Sequence, residues 1–188
     1  MKEYFERTFE NIDFSKEAFS KAEYEQCAFN NCNMSEVDLS ETRFLECRFV
    51  DCDLSNANLH NTAFQEVNFK QCKMLGLGFD ICKDFNFAIR CEACILNHSI
   101  FYKMKLSNSS FVNCQLCEVD FSEAEMKGTD LSRCDLLHAT FDRTNLEKAD
   151  LLEAKNYSIN PEQNYLKGAK FSSPEVLRLL DHYQLKIK

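Results

Sequence analysis

Large apolar residues recur at every fifth position from Tyr4 through Phe9, Phe14 and Phe19 to Phe79, sixteen in an unbroken series. A second series of twelve runs from Leu96 through Phe101 and Phe121 to Leu151, two residues out of phase with the first. Two positions before most of these centres stands a small or compact residue, such as Cys27, Cys32, Thr42, Ala57, Cys94, Ser109, Thr129 or Ala149. An α-helix repeats its faces about every 3.6 residues and a strand every second residue, so either would scatter a strict period of five over several faces. A chain that turns a corner every five residues, with two side chains per side directed inward, accounts for both sets of positions.

The pentapeptides Ala57-Asn58-Leu59-His60-Asn61, Val119-Asp120-Phe121-Ser122-Glu123, Thr129-Asp130-Leu131-Ser132-Arg133 and Ala149-Asp150-Leu151-Leu152-Glu153 share a pattern. Each reads small residue, Asp or Asn, Leu or Phe, then two further residues that are mostly polar. Over residues 4–171 the chain resembles the pentapeptide-repeat family. That resemblance implies an all-β fold, a right-handed quadrilateral parallel β-helix with four pentapeptides, or twenty residues, to the coil. Residues twenty apart would then stack, and they do so in kind: Phe9, Phe29, Phe49 and Phe69 make one aromatic column, Phe101, Phe121 and Phe141 another. With coils about 4.8 Å apart, the two series amount to a rod of roughly 35–40 Å.

The sequence is read as a single solenoid domain over 1–188, with a sub-helix over 4–79, an extended connector over 80–93 and a second sub-helix over 94–171. In the connector Phe85, Phe87, Ile89 and Cys91 alternate with polar or small neighbours, and Gly76 and Gly78 ahead of it read as turn residues. Segment 156–165 reads as an excursion of coil length, because Phe171 keeps the phase of Leu151. Ser173, Pro174 and Glu175 carry the signals of an N-cap, a proline in the first turn and an acidic first turn. They predict a short α-helix over 173–184. Its Val176, Leu179, Leu180 and Tyr183 lie at helical spacing to cap the last coil. At the other end Arg7 and Glu17 stand at small inward positions, so the first coil is expected to be frayed or differently phased.

Charge narrows the choice of partner. No apolar run approaches the roughly 18 residues of a membrane span. The first nine residues carry Lys2, Glu3, Glu6 and Arg7 without a signal-peptide stretch, so a cytoplasmic protein with no membrane partner is expected. Residues 1–154 hold 16 basic and 27 acidic side chains, and the remainder hold 6 and 3. An acidic body disfavours direct contact with nucleic acid and suits a basic partner. The most acidic side has centres Tyr4, Tyr24, Phe44 and Phe64 and outward Glu3, Glu6, Glu23, Glu25, Glu46 and Glu66, opposed by Arg43. Glu6, Glu46 and Glu66 fall in one twenty-residue register with Gln26 between them. Glu6, Glu25, Glu46 and Glu66 are therefore the candidate partner-binding residues.

The chain has 11 cysteines, which should be thiols in a reducing compartment. Cys91-Glu92-Ala93-Cys94 and Cys114-Gln115-Leu116-Cys117 have the spacing of a structural zinc site. The repeat explains that spacing otherwise, since Cys94, Cys114 and Cys134 are one coil apart and Cys117 should point outward. Nine of the cysteines fall on the small inward position, where they serve as small hydrophobes, leaving Cys91 and Cys117 as candidate exposed thiols. His60, His98 and His138 fall on outward positions, and no phosphate loop, nucleophile elbow or His-Glu-x-x-His occurs. The reading is a non-enzymatic protein with no metal and no cofactor.

Three stretches refine the resemblance: Cys72-Lys73-Met74-Leu75-Gly76, Cys94-Ile95-Leu96-Asn97-His98-Ser99-Ile100-Phe101-Tyr102, and the run from Asn156-Tyr157-Ser158-Ile159 through Ala169-Lys170-Phe171-Ser172-Ser173-Pro174-Glu175. In these the chain is similar to bacterial pentapeptide-repeat proteins that protect type II topoisomerases from quinolones, albicidin or microcin. The similarity implies a homodimer joined through the C-terminal segments, with Val176, Leu179, Leu180 and Tyr183 at the contact, its acidic rod imitating DNA on DNA gyrase or topoisomerase IV. The first series lacks the projecting inserted loop implicated in gyrase protection by the quinolone-resistance members. Duplex DNA carries roughly one charge per 1.7 Å, about twice the density of this body. A general protein-interaction scaffold with a partner unrelated to DNA metabolism is the alternative reading.

Overall fold

The computed structural model describes residues 2–186. Its organising feature is the corner. Glu6, Asn11, Gln26, Asn31, Glu36, Glu41, Glu46, Asp51 and Asn56 all hold φ between 49° and 61°. A left-handed residue other than glycine costs on the order of 1 kcal/mol. Each corner offsets that cost with its own N–H, which donates to the next coil: Glu6 to the Glu25 carbonyl at 3.0 Å, Gln26 to Leu45 at 2.9 Å and Glu46 to Gln65 at 2.9 Å. At several corners an Asp or Asn before the centre also locks the turn by accepting the N–H two residues on, as Asp53 does from Ser55 at 2.9 Å and Asp120 from Ser122 at 2.8 Å.

Between corners the chain is extended. The strands are β1 (Lys2–Phe5), β2 (Thr8–Glu10), β3 (Ala22–Glu25), β4 (Ala28–Asn30), β5 (Arg43–Leu45), β6 (Arg48–Val50), β7 (Ala63–Gln65), β8 (Val67–Lys70), β9 (Ile89–Glu92), β10 (Ser110–Val112), β11 (Asp150–Leu151) and β12 (Lys170–Phe171). One parallel sheet runs β1-β3-β5-β7, a second β2-β4-β6-β8-β9-β10, and β11 pairs with β12. Isolated parallel bridges such as Asn33↔Asp53 and Asp38↔Asn58 join the other two sides. The register is twenty residues, Phe9↔Phe29 and Phe29↔Phe49 among others, and the whole is a quadrilateral parallel β-solenoid of about eight turns. The first coil keeps that register from Lys2↔Ala22 onward, with Arg7 and Glu17 exposed at the end of the stack.

The centres fill the interior. Phe9, Phe29, Phe49 and Phe69 stack with ring centroids 4.8, 4.6 and 4.9 Å apart, and Phe101, Phe121 and Phe141 with 5.4 and 5.3 Å. The small inward position does more than save space, because a side-chain donor there reaches the carbonyl of the preceding coil. Thr62 Oγ1 bonds the Leu39 carbonyl at 2.9 Å, Thr144 Oγ1 that of Phe121 at 2.9 Å and Cys134 Sγ that of Phe111 at 3.0 Å. Cys32, Cys52, Cys72, Cys94, Cys114 and Cys134 form one buried column of this kind. Burial pushes the Cys47 thiol of a neighbouring column up to about 12.

Where the sequence slips phase, the pairing offset becomes twenty-two, as in Val67↔Ile89, Lys73↔Ile95 and Gly78↔Ile100. Over 80–93 the ladder continues through β9, and the extra residues lie between a short 3-10 turn at Phe79–Ile81 and β9. Cys91 is not an exposed thiol. It pairs with Phe69 on one side and Phe111 on the other, is 2% exposed, and occupies a centre position because it stands one period before Leu96.

At the C-terminal end Asp150↔Lys170 and Leu151↔Phe171 restore the twenty-residue register. Segment 156–165 closes that coil irregularly. Tyr157 and Ile159 are buried, and Asn164 both accepts from the Thr144 N–H at 2.9 Å and donates to the Phe141 carbonyl at 3.1 Å. The predicted α-helix is instead a 3-10 helix, Glu175–Tyr183. Pro174, not Ser173, is its N-cap and no side chain caps it. Val176, Leu177 and Tyr183 stay 36–48% exposed, while Leu179 packs on the core. So short a segment, with little apolar contact and no cap, lacks the support a regular α-helix needs. Among the described residues no helix is long and apolar enough to cross a membrane.

Three outcomes follow from this packing. Phe49→Ala, which empties the middle of an aromatic stack, should lower the unfolding free energy by about 3–5 kcal/mol in denaturant titration. Brief alkylation of the native protein followed by mass spectrometry should label the half-exposed Cys117 and leave Cys91 unlabelled until the chain is unfolded. Lys21, then Ser40, holds the Asp38 carboxyl down to about 2. With its folded pKa depressed, that carboxylate stabilises the fold above its unfolded value near 4 and ceases to do so as pH falls through about 2. Asp38→Asn should therefore melt below wild type at neutral pH, and the gap should close by about pH 2.

Candidate functional site

The sheet β1-β3-β5-β7 presents two outward columns, and the corner after it presents a third. The corner column is Glu6, Gln26, Glu46 and Glu66, with φ of 50°, 53°, 52° and 54° and every side chain exposed. The Gln26 Nε2 donates to Glu46 Oε2 at 2.9 Å, bridging two coils. Glu25 stands one position inboard, half-buried, in the column Phe5, Glu25, Leu45 and Gln65. The fold thus brings Glu6, Glu46 and Glu66 onto one edge and sets Glu25 beside it.

Arg43, the cation on this face, is committed elsewhere. Its Nη1 donates to Glu23 Oε1 at 3.2 Å, and its Nε and Nη2 donate to Gln65 Oε1 at 3.1 and 3.0 Å. Among the described residues no cation lies within salt-bridge distance of Glu6, Glu25, Glu46 or Glu66. On later coils many carboxylates are matched one coil away: Asp150 with Lys170 at 2.9 Å, Glu147 with Lys127 at 3.1 Å, Glu123 with Arg143 at 2.9 Å. Exposed pairs of this kind add little stability. They do cancel local field, and the corner column keeps its own.

The other candidates divide. Leu179 and Leu180 are half-buried at the solenoid end, whereas Val176 and Tyr183 face outward, the Tyr183 hydroxyl donating to Glu162 Oε1 at 2.6 Å. Leu177, 45% exposed, and Leu185, 58% exposed, add apolar surface that a reading of the helix from its inner side misses. Cys91, Cys94 and Cys114 lie inside, and Cys117 points outward with its N–H donated to Asn97 Oδ1 at 3.0 Å. Burial pushes the Cys117 thiol up. Among the described residues no group of three or more His, Cys, Asp or Glu is disposed to hold a metal ion. His60, His98 and His138 are exposed, and His98 Nδ1 lies 3.4 Å from Glu118 Oε2.

No curated protein matches the chain in sequence. Among solved structures, trypsin-treated preparations of two variants of QnrB1, a plasmid-mediated fluoroquinolone resistance protein, share its fold. One is 17% identical with a TM-score of 0.64, the match covering 99% of this chain and 100% of that one. The other is 17% identical with a TM-score of 0.63, covering 96% and 98%. The sequence pattern of the pentapeptide repeat region matches residues 4–79 and 84–151. With the five-residue corners, the twenty-residue register and that match in agreement, the chain belongs to the pentapeptide-repeat family.

Proposed function

We propose that this protein is a non-enzymatic, cytoplasmic, acidic rod that docks on the DNA-binding surface of a type II topoisomerase, DNA gyrase or topoisomerase IV, and shields it from an inhibitor or toxin. The carrying observation is the uncompensated corner of Glu6, Glu46 and Glu66, with Glu25 beside it. Parallel coils repeat at about 4.8 Å and the phosphates of one DNA strand advance about 3.4 Å per residue along the axis. A line of carboxylates spaced two coils from Glu6 to Glu46 and one coil from Glu46 to Glu66 is therefore a coarse, rigid substitute for a strand of phosphates, and a groove built to hold DNA offers it cations already arranged in a row. Fold similarity to QnrB1 supports the reading. The apolar surface of Val176, Leu177, Tyr183 and Leu185 supports dimerisation through the C-terminal segment, which would double the length of the rod.

In a supercoiling assay with purified gyrase, excess protein should slow the reaction or protect it from an added quinolone, and the effect should fade as salt rises. Combined Glu6→Lys, Glu25→Lys, Glu46→Lys and Glu66→Lys should weaken gyrase binding by roughly tenfold or more while leaving the thermal melt near wild type. Unchanged supercoiling together with no binding at large molar excess would instead assign the rod to a partner outside DNA metabolism.

A further inference from the structure

The acidic edge ends in an unusual residue. The column Phe5, Glu25, Leu45 and Gln65 advances twenty residues at a time, and twenty residues beyond Gln65 stands Phe85, whose carbonyl the Gln65 side chain reaches. In the same step the corner column passes from Glu66 to Asn86, whose φ of 55° matches the 54° of Glu66. Phe85 and Asn86 thus carry the candidate face one coil further, onto the segment that holds the extra residues of the phase slip.

Phe85 is 74% exposed, the most exposed large apolar side chain among the described residues, and its backbone is pinned. Its carbonyl accepts from Gln65 Nε2 at 3.1 Å. The N–H of Phe87 reaches the Asp84 carbonyl at 3.2 Å, that of Lys83 the Thr62 carbonyl at 2.9 Å and that of Ala88 the Phe64 carbonyl at 3.1 Å. Next door, Phe87 is 3% exposed, its ring edge-on to Phe64 and Phe79 with centroids 6.4 and 6.1 Å away. Single exposed apolar residues are ordinary on protein surfaces. Phe85 differs because it is rigidly presented, stands on the phase-slip coil and lies beside the end of the corner column. A large ring with two rotatable bonds on a fixed backbone gains contact area at small entropic cost, which is why such residues anchor interfaces.

We propose that Phe85 is the aromatic anchor of the partner-binding face, inserted into an apolar pocket at the end of a row of cations on a folded protein partner. This rests on the reading of Glu6, Glu46 and Glu66 as partner-binding and adds the chemistry at its end. Glu125 shares a surface hollow with Phe85 and has no cation within salt-bridge distance among the described residues, while Asp84 meets Lys105 at 3.8 Å. Acidic and basic groups are mixed around the ring, Lys83 and Lys105 among them, and the match to a basic partner surface comes from the corner column of Glu6, Glu46 and Glu66 that leads to it. From Glu6 to Phe85 the face spans four coil steps, about 19 Å.

The test is equilibrium binding of purified DNA gyrase to wild type, Phe85→Ala, Phe85→Leu and the fourfold Glu-to-Lys protein, with thermal melts and sedimentation of each. Phe85→Ala should weaken binding by about tenfold or more with its melt unchanged, and Phe85→Leu should stay within about threefold of wild type. Phe85→Ala binding within about twofold of wild type, while the charge reversal abolishes binding, would overturn the anchor and leave the acidic reading standing. Loss on Phe85→Ala with the charge reversal harmless would do the opposite. A change in sedimentation without a change in gyrase affinity would make the occupant a second copy of this chain and overturn the proposal, as would a wild type that does not bind.

Discussion

Everything in this molecule depends on one hydrogen bond, repeated. At most corners the residue enters the left-handed region and its freed N–H points along the rod axis to a carbonyl of the next coil, as Glu6 does to Glu25 and Gln26 to Leu45. The strain of one coil is relieved only by the presence of the next. Stacking and bending are therefore one event, and the twenty-residue register admits little slack. A single-residue slip would turn the Phe29 and Phe49 rings outward and bring charged neighbours such as Arg48 inward.

That register also determines what the protein can offer to others. Inside, it converts a repeated residue type into a column: phenylalanines become a stack of rings, and cysteines become small fillers whose thiols bond the carbonyls of the coil before. Outside, it converts a repeated charge into a line. Where cations follow carboxylates one coil later, as Lys170 follows Asp150, the line is neutral. Where they do not, as along Glu6, Glu46 and Glu66, it remains charged and rigid. The same positional logic that argues against a zinc reading of the cysteine pairs yields the acidic edge, so the loss of one candidate site and the gain of the other have a common cause.

Much of this was legible in the chain because a strict period is visible without tertiary information. The columns of Phe9 and Phe101, the outward histidines and the shared register of Glu6, Glu46 and Glu66 all follow from counting. Other features depended on geometry that counting does not carry. Cys91 looked like part of a connector because a centre filled by a small residue breaks the apolar signal, though its place one period before Leu96 was the clue. Phe85 and Phe87 alternate identically in the sequence, and only the hydrogen bonds from Gln65 and Ala88 determine which ring points outward. Pro174 and Glu175 mark the start of a helix but not its winding. The engagement of Arg43 by Glu23 and Gln65, which leaves the corner glutamates without a counter-charge, is a matter of side-chain reach.

The most direct measurement is displacement of a labelled DNA duplex from purified gyrase, followed by anisotropy as the protein is titrated in at two salt concentrations. If the acidic edge stands in for a strand of phosphates, the protein releases the duplex at low salt, loses potency as salt rises, and loses it altogether when the corner glutamates are reversed. Equal displacement by the charge-reversed rod, or a ternary complex in which duplex and protein are held together, would contradict it.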